Sequence, residues 1–289
     1  MTSESWPKPL VSTDWLLENL SNPKVRILDS STHLLPKPDL SLYDVVPAIK
    51  EYKDAHIPQA LFLDIEHELS APHPNLHFML PSRDVFAKTM SRCGISDDTM
   101  VITYATTNHW WATRLWWTLR VFGHSNVAVL DGGFQKWQAE NKPIETGDAN
   151  PIDSGIYSPR DPNAFLVADK DSILKHLEGG SVCLINALRR EQHEGQGGVH
   201  YGRRGRISQS INLPALEHVD KDNTFKSIDE LKNIFSAVLA KKEIITYCGG
   251  GIAATSVALA LDMLGHKNVK VYDASLTEWA ADDTLPMDA

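Results

Sequence analysis

Across 289 residues the chain is 42% hydrophobic and 22% charged, ordinary for a globular protein and sufficient for two domains. Its formal net charge of −9 speaks against nucleic acid as a partner, since a phosphate backbone calls for clustered Lys and Arg. No apolar run is long enough to cross a bilayer, so no membrane partner is expected, and Met1–Pro7 has neither the basic nor the apolar region of a targeting peptide.

In chain order, the first short runs rich in Val, Ile and Leu are Val25–Asp29 and Leu61–Ile65. Ser82 is placed to cap a helix that runs to Cys93 and stops at Gly94, with Phe86, Met90 and Cys93 on one apolar face. Met100–Tyr104 and Val127–Leu130 complete a first set of four runs. The stretch 144–162 is rich in Pro, Gly and Asp and carries neither a helical nor a strand period, so it reads as a linker. A second set follows: Val182–Ala187, Ser210–Leu213, Glu243–Tyr247 and Val269–Tyr272. After Cys248, the residues Val257, Ala260, Leu261 and Leu264 repeat the helical spacing, and Gly265 ends it. Continuous apolar runs suit strands covered on both faces. Strands alternating with helices predict an α/β fold with largely parallel sheets flanked by helices.

The two sets are copies of one plan. Val121–Asp131 and Met263–Asp273 each carry a Gly-His turn and lead to a Trp, and they lie 142 residues apart. Ile102-Thr103-Tyr104 matches Ile245-Thr246-Tyr247, His56–Ala60 faces Arg206–Ser210, and Val25–Asp29 faces Val182–Asn186, all in the same order. This is the trace of a duplication followed by loop insertions and deletions. Residues 1–143 are expected to form a non-catalytic domain, 144–162 the linker, and 163–289 the catalytic domain. Repetition in both copies marks His124 and His266 as structural.

Cys93, Cys183 and Cys248 are too few and too widely spaced for a disulfide framework or a metal knuckle. They fit a reducing compartment, which points to the cytoplasm, with a mitochondrial location left open. Cys93, on an apolar helix face, and Cys183, in an apolar strand, read as core residues. Cys248 differs, because it follows a strand, precedes a helix and is trailed by Gly249, Gly250 and Gly251. Ligand crevices in open α/β sheets lie at the carboxyl ends of the strands. A helix start offers free amides and positive partial charge, which favour a thiolate. Glycines let the loop curl until its amides face inward as an anion nest. The corresponding loop of the first copy starts at Ala105 and has neither thiol nor glycines. It is expected to keep the fold without the chemistry. The pairs Trp110-Trp111 and Trp116-Trp117 read as packing, against the second domain, rather than as a ligand cage.

These residues carry a family resemblance over nearly the whole chain. Val11–Leu16, His56–Asp64, Met79–Ser82, Arg114–Trp117, Gly123-His124, Leu130–Gly133 and the loop Tyr247–Ala253 resemble the tandem rhodanese-domain sulfurtransferases, the 3-mercaptopyruvate and thiosulfate group. The resemblance implies two tandem rhodanese-like domains. It implies that Cys248 attacks the sulfur of a small donor and becomes a persulfide. The amides of Gly249, Gly250, Gly251, Ile252 and Ala253 would stabilise the outer sulfur. The acceptor would be a thiol, cyanide or a thioredoxin-like dithiol, and neither metal nor organic cofactor would be needed.

The loop is closer to the mercaptopyruvate type, Cys-Gly-Ser-Gly, than to the thiosulfate type, in which Arg and Lys follow the cysteine. 3-Mercaptopyruvate is therefore the expected donor, with thiosulfate as the alternative. Gly250 stands where the resemblance calls for serine, so a serine–histidine–aspartate relay through Gly250, His77 and Asp64 lacks its hydroxyl. Asp64 and His77 are instead expected in interdomain hydrogen bonds. The two arginines expected to hold the donor carboxylate align with Leu188 and Glu194. Asn186 replaces the usual aspartate, and Arg206 the histidine of Gly-His-Ile-Pro. Arg189 or Arg190, or the cluster Arg203, Arg204 and Arg206, are the replacement cations, unless they form a solvated loop. Two other readings compete: a weakly catalytic sulfur-carrier or binding module, and a cysteine phosphatase. The phosphatase Cys-x5-Arg clamp would need arginine where Ala254 stands. If the missing charge is what limits thiosulfate use, placing Arg and Lys at 249 and 250 is expected to raise its turnover. Cys248→Ser is predicted to abolish sulfur transfer with the fold intact, whereas Cys93→Ser costs stability and spares activity. Transfer assays beside thermal melts of both variants check this, and the opposite pattern contradicts it.

Overall fold

The computed structural model describes Trp6 and residues 9–289; apart from Trp6, the targeting-peptide expectation for Met1–Pro7 falls outside them. Two five-stranded sheets form the frame, and every pairing within them is parallel. In the first sheet the order is Leu10–Val11, Val127–Leu130, Met100–Tyr104, Val25–Asp29, Leu61–Phe62. In the second it is Val167–Ala168, Val269–Tyr272, Ile244–Tyr247, Cys183–Asn186, Ile211–Asn212. The orders are the same once the copies are aligned, as duplication requires.

The central strands are buried along their whole length, which is why their sequences run apolar instead of alternating. Helix Arg83–Arg92 starts where Ser82 accepts from the Val85 amide at 3.3 Å, and Gly94 leaves it at φ +66°. Leu61–Ile65 divides, because Asp64 accepts from the His67 amide and caps a short helix, Ile65–Glu68, leaving Leu61–Phe62 as the strand. His124 and His266 meet the Thr99 and Lys241 carbonyls at 2.9 and 2.8 Å, the same bond in both copies.

Between residues 144 and 162 there is no helix or strand, only an isolated bridge from Glu145 to His56. This stretch lies along the first copy. The Gly155 amide donates to the Ser91 carbonyl at 2.8 Å, a Cβ on Gly155 would run into the Ile95 backbone, and Tyr157 packs edge-on against Phe86.

The copies join through helices His109–Val121 and Ala253–Met263. Thr113 and Thr255, 142 residues apart, share a hydroxyl hydrogen bond of 2.8 Å. Arg120 and Asp262, at the same spacing, form an ion pair of 3.1 Å. That spacing equals the offset between the copies, so each helix meets its own duplicate, in the manner of a symmetric dimer interface. One apolar cluster runs through both copies by way of Trp111, Leu115, Ala254 and Val257.

The same seam holds two buried histidines, His109 and His218, each 2.7 Å from Ser256 Oγ. Burial pushes the His109 imidazole down to about 4 and holds His218 well below its usual value. Both stay neutral when folded but gain protons below about pH 6.5 when unfolded. The unfolded chain thus binds more protons between pH 6.5 and about 4, and these groups cost stability as pH falls through that window. Asp29, pushed up to about 6 by burial, acts in the opposite direction and is common to any comparison of variants. His109→Gln is predicted to lose less melting temperature than the parent chain between pH 7 and pH 4.5. Parallel loss curves overturn this.

Candidate functional site

Cys248 follows the central strand of the second sheet and precedes helix Ala253–Met263, with Asn186 and Tyr272 ending the flanking strands. Its side chain is buried yet forms part of the wall of a cavity of about 540 Å3 lined by both copies. Ser275, at φ +52°, brackets the loop: its Oγ accepts from the amides of Cys248 and Gly251, both at 3.1 Å, and donates to the Tyr272 carbonyl. The Cys248 and Gly249 carbonyls accept from the Leu276 and Thr277 amides at 3.1 and 2.9 Å. The amides of Gly249, Gly250, Ile252 and Ala253 have no hydrogen-bond partner among the described residues, and these four residues line the cavity.

The three glycines serve three different ends. Gly251 alone has a positive φ, +74°, and a Cβ there would run into the Asp273 carbonyl; its amide is bound to Ser275 and it does not line the cavity. A Cβ on Gly249 would clash with the Tyr201 side chain, at its Cζ and at its hydroxyl. At Gly250 it would meet only Thr277 Oγ1, at 3.9 Å. A curl built on three left-handed glycines is therefore corrected to one such turn, one steric gap and one open position.

Arg114 reaches the loop from the first copy. Its guanidinium lies 2.6 Å from Asp273 and 3.2 Å from the Gly251 carbonyl, donates to the Phe78 carbonyl, and rests over the Trp117 ring at 4.8 Å. The pair is almost fully buried, with side chains 1% and 6% exposed.

The expected anion-binding arginines separate. Arg189 lines the cavity and makes no side-chain hydrogen bond or ion pair among the described residues. Arg190 is exposed and engaged with Glu217 through two bonds, 2.9 and 2.7 Å, and Arg204 is exposed; neither lines the cavity. Arg203 is spent on the carbonyls of Trp279, Ala280, Asp282 and Leu285, and Arg206 on that of His193. Leu188 is buried against the cavity, while Glu194 caps a short helix away from it. Asn186 keeps the role of its counterpart Asp29: each accepts at 2.9 Å from the amide two residues on, Leu188 or Ser31.

His77 lines the cavity but meets Glu66, at 2.5 Å, and Asp64 pairs with His67, at 2.7 Å. Neither the relay nor interdomain bonding by this pair is formed. Their neighbours do the joining: the Leu80 amide donates across the copies to Asp273 Oδ2 at 2.9 Å, and the Phe78 carbonyl, within the first copy, accepts from Arg114, which itself crosses to Asp273. Three side chains unforeseen as site residues complete the wall: Trp110, Tyr43 and Tyr201. Trp110 and Trp111 thus do face the cavity, although Trp111 also packs edge-on against Phe78. Tyr43 arrives on the hairpin Thr32–Pro36 with Tyr43–Pro47, whose tip carbonyl at Leu40 accepts from the His200 amide across the copies. The turn cluster Pro36-Lys37-Pro38-Asp39 between short β-rich runs was its available signal. Burial raises Tyr201 well above its usual range, helped by Tyr43 and Cys248 nearby. Burial pushes the Cys93 thiol up to about 11 and raises that of Cys183, which suits inert core thiols.

A family model described as the rhodanese-like domain matches residues 12–140 and again 169–282. The chain is 33% identical over 298 residues to the 3-mercaptopyruvate sulfurtransferase of Escherichia coli K12, covering 99% of each chain. It is 32% identical over 283 residues to the thiosulfate sulfurtransferase of Mus musculus, covering 94% of this chain and 92% of that one. The crystal structure of SseA from Escherichia coli, a 3-mercaptopyruvate sulfotransferase with the rhodanese fold, superposes with a TM-score of 0.81 at 32% identity over 92% of this chain and 98% of that one.

The geometry at the loop revises what substitution can do. Arginine at 249 would have to displace the Tyr201 ring, so the two-residue exchange is expected to damage the loop rather than raise thiosulfate turnover. Gly249→Ala is predicted to cut sulfur transfer roughly 5- to 150-fold, the factor for an overpacking cost of about 1–3 kcal/mol. Gly250→Ser fits the open position and stays within about threefold of the parent rate, with the melting temperature preserved. Steady-state rates for the two variants decide it, and equal losses at both positions contradict it.

Proposed function

The chain belongs to the tandem rhodanese sulfurtransferases, and on that footing we propose that Cys248 is the residue that carries the sulfur, with 3-mercaptopyruvate preferred over thiosulfate as donor. The observation that supports this most directly is a thiol on the wall of a cavity between the copies, next to four amides without partners. The Cys248 thiolate attacks the donor sulfur and the carbon–sulfur bond breaks. Its electron pair leaves with carbon as the enolate of pyruvate, which then takes a proton. The outer sulfur of the resulting persulfide is held by the amides of Gly249, Gly250, Ile252 and Ala253, as a preorganised set of donors. A thiol, cyanide or thioredoxin-like dithiol then removes it. Ser275, Arg114 and Asp273 position the loop without touching the reacting sulfur.

The donor preference follows from charge. Arg189 is the one Arg or Lys among the described cavity-lining residues, and Glu191 lines the same cavity. A keto-acid monoanion can use Arg189 alone, whereas the thiosulfate dianion leaves a charge uncompensated. The division into residues 1–143, linker 144–162 and 163–289 puts the thiol in the second domain and half of its wall in the first. A free, reactive thiol suits a reducing compartment, in keeping with a cytoplasmic location.

Incubation with each donor followed by intact mass measurement tests the reading. A gain of about 32 Da on Cys248, one sulfur atom, is expected within seconds for mercaptopyruvate and roughly tenfold more slowly for thiosulfate, about one charge-assisted hydrogen bond. No adduct from either donor, together with slow alkylation of Cys248, overturns it in favour of a binding module.

A further inference from the structure

The cavity is much larger than the donors require. A three-carbon mercapto-keto acid has seven heavy atoms and fills roughly 150 Å3, about five times the volume of a liquid water. The cavity measures about 540 Å3, within the roughly 300–1,000 Å3 of sites that enclose far bulkier molecules. Its walls are mainly apolar and come from both copies: Leu34, Val45 and Trp110 from the first, Leu188, Pro214 and Ile252 from the second.

The charged and titratable groups on this wall are few. His33 is paired with Glu51 at 2.9 Å and His77 with Glu66 at 2.5 Å. Tyr43 and Tyr201 stand together near the thiol, with ring centroids 6.3 Å apart. Arg189 and Glu191 are the remaining ionic groups, and Arg189 is exposed and unengaged. An apolar wall of this extent beside a single available guanidinium describes its occupant: a hydrophobic body, with a ring for Trp110 and the tyrosines, and one carboxylate.

The geometry points to a sulfur acceptor of that class, a small-molecule thiol that bears an aromatic body and a single carboxylate held by Arg189. The inference rests on Cys248 carrying the persulfide. The acceptor thiolate attacks the outer sulfur, the Cys248 sulfur–sulfur bond breaks, and its electron pair returns to Sγ as the thiolate. The outer sulfur leaves on the acceptor as a new persulfide, and the acceptor's thiol proton goes to solvent. The aromatic body supplies burial, which small thiols and cyanide cannot, so it raises the rate of capture at low acceptor concentration.

A matched pair of acceptors isolates the aromatic body. 2-Mercaptopropionate and 2-mercapto-3-phenylpropionate present the same thiol next to the same carboxylate and differ by one phenyl ring. Cys248 is loaded with mercaptopyruvate or with inorganic polysulfide, the 32 Da adduct is confirmed by intact mass, and discharge by each thiol is followed. The phenyl compound is expected to discharge the persulfide about 30-fold faster per unit concentration, the factor for burying one phenyl ring. Arg189→Gln is expected to slow both carboxylates about tenfold relative to 2-phenylethanethiol, which has the ring and no carboxylate. Discharge rates for the matched pair within threefold of each other overturn the aromatic-acceptor class while leaving the persulfide reading in place. A ratio to 2-phenylethanethiol unchanged by Arg189→Gln overturns the carboxylate assignment. Failure to load Cys248 by either route removes both this inference and the reading beneath it.

Discussion

The buried pair of Arg114 and Asp273 is the constraint on which the site depends. An arginine with almost no exposure cannot stand unpaired, because losing one partner of such a pair costs about 3–5 kcal/mol. Here the guanidinium is met by Asp273, by the carbonyls of Gly251 and Phe78, and by the Trp117 face. Those partners belong to both copies. Asp273 directly follows the strand next to that of Cys248 and also holds the Leu80 amide, so one ion pair fixes the loop, the segment bearing His77 and Phe78, and the domain seam together. Ser275, two residues beyond Asp273, then clamps both ends of the Cys248–Gly251 turn. The direction of the loop amides is set by this chain of contacts together with the one left-handed turn at Gly251.

Duplication explains why such a seam arises. Helix His109–Val121 and its counterpart meet at residues separated by the repeat offset, so the interface has the self-complementary form of a two-fold dimer within one chain. Departures from that symmetry fall at the site. The first copy has Ala105 where the second has Cys248, and it contributes Arg114, Phe78, Trp110 and the Tyr43 hairpin in place of a second thiol.

Much of the frame was legible in the sequence, since buried parallel strands leave continuous apolar runs and four of the eight expected spans match to the residue. The Ser82 cap and the Gly94 and Gly265 stops were equally legible, each being a local signal with one physical meaning. The two-residue edge strands Leu10–Val11 and Val167–Ala168 went unread, being too short to carry a period. The thiol and its loop could be found because strand, glycines and helix start coincide within a few residues. The identity of its neighbours could not. Tyr43, Tyr201 and Trp110 converge from segments far apart in sequence. Among five candidate arginines, only tertiary packing separates Arg189, which faces the cavity, from those consumed by carbonyls, by Glu217 or by solvent.

The hairpin that brings Tyr43 to the cavity wall shared with Cys248 has a consequence for how this chain can change. With Cys248 as the proposed sulfur carrier, the first half is exempt from selection for reactivity but not from selection for shape, because its ribbon and its tryptophan line the cavity beside that thiol. Selectivity in such a protein can drift or be retuned from the silent half, through residues that a comparison of reactive loops alone would never inspect.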